Sequence, residues 1–101
     1  MAFVLLLDGN SVVPYLRDLR LSREGRVKLL AGLLSLREAP DTFINDPSRR
    51  LAEDSPFFIF DYVLRGEEGD GRFHHFWFVI SDAAAQYGVL QVVYAEELTT
   101  L

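Results

Sequence analysis

The spacing of apolar residues changes twice along the chain, and each change marks an element. Phe3 to Leu7 is an unbroken apolar run closed by Asp8-Gly9-Asn10, a pattern that predicts a strand buried on both faces. Val12, Leu16 and Leu19 then recur at i, i+4 and i+7, with Arg17, Asp18 and Arg20 elsewhere around the wheel. That is the spacing of a short amphipathic helix. Ser11 or Asn10 offers a capping oxygen, and Pro14 falls in the first turn, where its missing N–H costs nothing. A second helix is expected from Arg23 to about Glu38, capped by Ser22, carrying a stripe of Val27, Leu29, Leu30, Leu33 and Leu34 and stopped by Ala39-Pro40-Asp41. Gly32 inside it costs about 1 kcal/mol relative to Ala. Its presence points to close packing against the first helix or the sheet.

Residues 41–56 are polar and rich in turn formers, among them Asn45-Asp46-Pro47 and Ser55-Pro56, with Phe43, Ile44 and Leu51 available to pin the segment down. Beyond it the periodicity shortens. Phe57 to Leu64, Phe73 to Ile80 and Val89 to Tyr94 are dense in aromatic and β-branched residues and read as three strands. The acidic stretch Gly66-Glu67-Glu68-Gly69-Asp70-Gly71 joins the first two, and 81–88 joins the next pair. Short connections imply an antiparallel meander. The expected fold is α+β, in the order β-α-α-β-β-β, with a helical hairpin packed on an antiparallel sheet and residues 1–101 forming one domain.

Adjacent strand residues point to opposite faces, so His74 and His75 cannot enter the same site. If the 66–71 loop closes symmetrically, Arg65 lies opposite Arg72, and Asp61, Val63 and Arg65 share a face with Arg72, His74 and Phe76. The same assumption for the next loop adds Gln91. The other face then holds Phe58, Phe60, Tyr62, Leu64, Phe73, His75, Trp77, Val79, Leu90, Val92 and Tyr94, the more apolar bed for the helices. A slip of one residue exchanges His74 for His75.

Composition narrows the function. Half of the 101 residues are hydrophobic and 13% aromatic, enough for a packed interior. There is no cysteine, which excludes a disulfide framework and thiolate metal sites and fits a cytoplasmic protein. The run Met1 to Leu7 lacks a basic leader, so no signal peptide is expected, and no stretch nears the roughly 20 apolar residues of a membrane span. A formal charge of −5 disfavours non-specific nucleic-acid binding unless arginines cluster locally.

Such a cluster is available on paper. Arg49 and Arg50, with Arg65 and Arg72, can gather at one end of the sheet, where a guanidinium grips a phosphate through two parallel hydrogen bonds. Equally, these arginines can neutralise Glu53, Asp54, Glu67, Glu68 and Asp70. A histidine beside them can act as acid or base. The two histidine rings diverge and no further ligand stands at a familiar spacing, so neither a metal nor another cofactor is expected. Phosphate-binding glycine loops and nucleophile elbows are absent.

The segment Gly71-Arg72-Phe73-His74-His75-Phe76-Trp77-Phe78-Val79-Ile80, followed by Val89-Leu90-Gln91-Val92-Val93-Tyr94, resembles the central and following strands of the RelE/ParE-type toxin superfamily of bacterial toxin–antitoxin systems. The order of elements resembles that family over almost the whole chain. What the resemblance implies is a metal-independent endoribonuclease that cleaves messenger RNA at the ribosome, held by a cognate antitoxin. By position, Arg65 and Arg72 would clamp the phosphate and His74 would be the acid or base, with Asp61, Gln91, Arg49 and Arg50 as binding contacts. The carboxylate excess supports a different expectation: a small acidic protein, such as an immunity protein, an antitoxin-like inhibitor or a phage anti-defence factor, that binds a basic surface of a protein partner. A homodimer built on the aromatic sheet is a third.

Overall fold

The computed structural model describes residues 3–38, 45–65 and 73–98. They run β1 (Val4–Leu7), α1 (Val12–Asp18), α2 (Arg23–Leu34), β2 (Phe57–Leu64), β3 (His74–Ser81) and β4 (Val89–Leu98), with single 3-10 turns at Ser35–Arg37, Pro47–Arg49 and Ala85–Tyr87. The fold is α+β, with both helices on one face of a four-stranded sheet of order β1-β4-β3-β2. β2, β3 and β4 form the expected antiparallel meander. β1 runs parallel to β4, so the sheet is mixed.

The described helices both lie on one face, and this decides what is buried. Phe58, Phe60, Leu64, Phe76, Phe78, Ile80, Leu90, Val92 and Ala95 point to the helices and meet Val12, Leu16, Leu29, Leu33 and Leu36. β1 is not buried on both faces as its composition suggests. It lies at the sheet edge, where Leu5 and Leu7 pack on the core while Val4 and Leu6 stand exposed.

Each helix rests on the sheet, α1 over β4 and α2 over β2. Between them runs Arg26, whose guanidinium donates to the carbonyls of Leu16 (2.6 Å) and Leu19. These are carbonyls at the C-terminal end of α1, which has no next turn to satisfy them. Ser22 caps α2 as expected, its hydroxyl accepting from the Gly25 N–H at 3.0 Å. The inward stripe of α2 is Gly25, Leu29 and Leu33, continued by Leu36, so the expected wider stripe is too broad: Val27, Leu30 and Leu34 are exposed.

The start of α1 is tied differently from the expectation. Ser11 precedes the helix but its side chain makes no cap hydrogen bond. Instead its hydroxyl oxygen lies 2.6 Å from the Asp8 carboxylate and 2.8 Å from the Val93 carbonyl, either of which can accept its proton. Val93 is the extra residue of a β-bulge, because Val79 pairs with Tyr94 and Ile80 with Val92. Ser11 thus fastens α1 to the irregular point of β4. At the far end of the meander, Gly88 takes φ 78° and turns the chain into β4, a left-handed conformation that favours glycine.

Gly32 makes the close approach that its helix position implies, and the neighbour is the sheet. A Cβ there would fall within 3.0 Å of three ring atoms of Tyr62 on β2. We therefore predict that Gly32→Ala destabilises the fold by about 1–3 kcal/mol through overpacking, outweighing the roughly 1 kcal/mol gain in helix propensity. Urea unfolding checks this, with Tyr62→Ala in the same chain expected to reverse the sign of the Gly32→Ala effect. A Gly32→Ala protein as stable as the parent would refute the contact.

Candidate functional site

β2 and β3 pair with Leu64 opposite His74, Val63 opposite His75 and Asp61 opposite Trp77. This is one residue away from the register in which Arg65 faces Arg72, and the alternation of side chains turns that step into an exchange of faces. His75, not His74, shares the outer face with Asp61. Trp77, Val79 and Tyr94, expected beneath the helices, stand on the outer face as well.

On that face a chain of polar contacts crosses from the 45–50 segment to the centre of the sheet. The Asp46 carboxylate accepts from the Ser48 N–H (3.0 Å) and hydroxyl (2.6 Å), which fixes the short turn Pro47–Arg49. Arg49 leaves that turn toward the sheet, with Nε 3.4 Å from Asp46 Oδ2 and Nη1 3.3 Å from Asp61 Oδ1. The other Asp61 oxygen lies 2.9 Å from Nε2 of His75. A carboxylate can only accept, so Nε2 carries the proton and Nδ1 is the nitrogen left for other chemistry. Asp46, Ser48, Arg49, Ile59, Asp61, His75, Trp77 and Leu98 line a pocket of about 430 Å³.

Partial burial of Asp61 works against its charge, but the hydrogen bonds from His75 and Arg49 outweigh it and hold the carboxyl below its ordinary range. The carboxylate therefore orients the imidazole as an anion, and Arg49 lies beside both. Such a group can bind an anion or move a proton, with an indole alongside to receive a flat ring.

His74 lies on the helix side, buried, with its ring stacked on Phe76 at 5.7 Å and Nδ1 3.1 Å from Glu97. Glu96 and Glu97, expected beyond the last strand, belong to β4. Arg50 turns the other way from Arg49. It reaches Asp82 at 2.5 Å and lies over the Phe58 ring, while its backbone bridges to Phe58 along the edge of β2. Arg49 and Arg50 are thus divided, Arg49 lying against Asp46 and Asp61 and Arg50 against Asp82. Arg65 follows β2 and is exposed, and Gln91 lies opposite Ser81, about 13 Å along β3 from Trp77 at 3.3 Å per residue. The Leu51 side chain is exposed, and the residue is tied to β2 through its backbone, its N–H donating to the Phe57 carbonyl. Arg72, Phe43, Ile44 and the loop carboxylates fall outside the described residues.

Asp46, Ser48, Trp77 and Leu98 were not singled out for this site by sequence. The Asp46-Pro47-Ser48 turn was visible, but its placement under β2 comes from a long-range bridge that no local pattern encodes. Among the described residues no cluster of His, Cys, Asp or Glu could hold a metal ion, and no helix is long and apolar enough to cross a membrane. No family model, curated protein or solved structure matches the chain.

Because the folded-state pKa of Asp61 is depressed, its contribution is present above the unfolded carboxylate range and is lost as pH falls through the folded value, below about pH 4. Its exposure keeps that contribution to about 0.5 kcal/mol or less. We predict that Asp61→Asn lowers stability near neutral pH by that amount and flattens the acid limb, as read from unfolding curves between about pH 2 and 7. An acid limb identical to the parent's would contradict the pairing.

Proposed function

We propose that the protein is a RelE/ParE-like, metal-independent RNA endonuclease whose reaction centre is the outer-face pocket. The observation that carries this reading is the Asp61–His75 contact at 2.9 Å with Arg49 3.3 Å from the same carboxylate. Asp61 holds the imidazole with Nε2–H directed to it, and Nδ1 takes the proton from the attacking ribose hydroxyl or returns one to the leaving oxygen. Arg49 meets the phosphate, exchanging one of its two carboxylates for a phosphoryl oxygen and offsetting the charge that builds there. Trp77 stacks a base, a contact that tolerates sequence. His74 has a packing role, in contrast to the position-based expectation.

A second reading has its own support. Among the described residues, Asp46 and Asp61 line the pocket beside Arg49 and Glu96 stands opposite Trp77 on the same face, and the chain carries −5 overall. A face of that sign suits a cationic protein partner, as an acidic inhibitor would require.

Cleavage of ribosome-bound and free RNA in the presence of a chelator separates the two. His75→Ala is expected to lower cleavage by about 10²–10⁴-fold, with Arg49→Ala and Asp61→Asn also impaired and His74→Ala cleaving like the parent when folded. Intact RNA, together with salt-sensitive binding to a cationic protein that Asp61→Asn and Glu96→Gln weaken, would replace the first reading with the second.

A further inference from the structure

The two edges of the sheet are treated differently. Along β2, Arg50 bridges to Phe58 and the Leu51 N–H donates to the Phe57 carbonyl at 3.2 Å, so that edge carries a partner. β1 is the other edge. Its Val4 N–H donates to the Gly88 carbonyl, and the Asp8 N–H beyond it to that of Val92. By the two-residue alternation Leu6 faces β4 too, which turns the N–H and C=O of Leu5 and Leu7 outward. No described residue bonds to them from outside. The outward N–H of Phe3 is taken by the Arg37 carbonyl at 2.9 Å, so the opening begins after it.

The strand itself is Val4-Leu5-Leu6-Leu7, with no charge, proline or bulge. Val4 is 55% and Leu6 50% exposed on the outer face. Natural sheets block an open edge with those missing devices, and an aliphatic edge without them invites a further strand.

We propose that β1 pairs with β1 of a second copy of this chain, antiparallel, so that the two sheets become continuous. The free groups set the register, and a strand without charge can meet its own copy in that register. With a two-fold axis through Leu6, Leu5 stands opposite Leu7 of the second copy and Leu7 opposite Leu5. Each outward donor then meets an outward acceptor. Leu6 faces Leu6 of the second copy in a non-hydrogen-bonded pair, with Cβ atoms about 4.5–5.5 Å apart. No charged side chain of the strand faces its own copy, although the chain as a whole is acidic. The axis is perpendicular to the sheet, so both helix layers lie on one side and both outer-face pockets on the other. The seam is small beside the ~1,200–2,000 Å² of standard interfaces, so association depends on concentration. It is independent of whether the pocket handles RNA.

Sedimentation velocity on the full chain tests it. The parent is expected to move from 11.5 kDa toward twice that mass as concentration rises. Leu6→Lys and Leu6→Ser, both at a half-exposed side chain and checked for folding by circular dichroism, are expected to weaken dimerisation by about tenfold or more. Because the chain has no cysteine, Leu6→Cys under mild oxidant should yield a cross-linked dimer, while Val27→Cys on the exposed side of α2 should not. A parent that stays monomeric, a dimer that both Leu6 variants leave unchanged, or a Leu6→Cys protein that cross-links no better than Val27→Cys, overturns the proposal.

Discussion

Burial of Phe58, Phe60 and Leu64 against Phe76, Phe78 and Ile80, beneath the two helices, sets the pairing of β2 with β3. Each fully buried aromatic or aliphatic side chain here contributes about 1.5–3 kcal/mol. Sliding β3 by one residue would trade Phe76, Phe78 and Ile80 for His75, Trp77 and Val79, and would place a different set of side chains under α1 and α2. Every feature of the outer face inherits its position from that choice.

Adjacent residues consequently have unrelated lives. His74 is held under the helices by Glu97 and Phe76, whereas His75 meets Asp61 on the far side. Arg50 clamps the β2 edge through Asp82, and Arg49 completes the polar chain to the pocket. The side chains that give the face its chemistry are thus carried on a scaffold whose stability lies in the opposite layer. Substitution at Arg49 or His75 removes side chains that the core does not use. The helix layer is also where cations concentrate: Arg17, Arg20, Arg23, Arg26 and Lys28 fall in one short span of an otherwise acidic chain.

The element order, the α2 cap at Ser22 and the extent of β2 were legible because each depends on residues near in sequence, and Gly32 marked a close approach without naming its distant neighbour Tyr62. β2 also declared its faces, since Asp61 interrupts only the odd-numbered set. β3 did not. Its two sets, His74-Phe76-Phe78-Ile80 and His75-Trp77-Val79-Ser81, each carry a histidine beside large apolar residues, so alternation ranked them poorly and the register rested on an assumed loop symmetry. The bulge at Val93 and the bridge from Arg50 to Phe58 are long-range events with no local signature. β1 was read as doubly buried because an edge strand and a central one share the same aliphatic composition when an edge is left unguarded.

Cross-strand Hα–Hα and Hα–amide nuclear Overhauser effects between β2 and β3 read the register directly. The structure requires contacts linking Val63 with His75 and Asp61 with Trp77. Contacts linking Val63 with His74 and Asp61 with Phe76 would mean the slipped register, and would dissolve the Asp61–His75–Arg49 grouping with it.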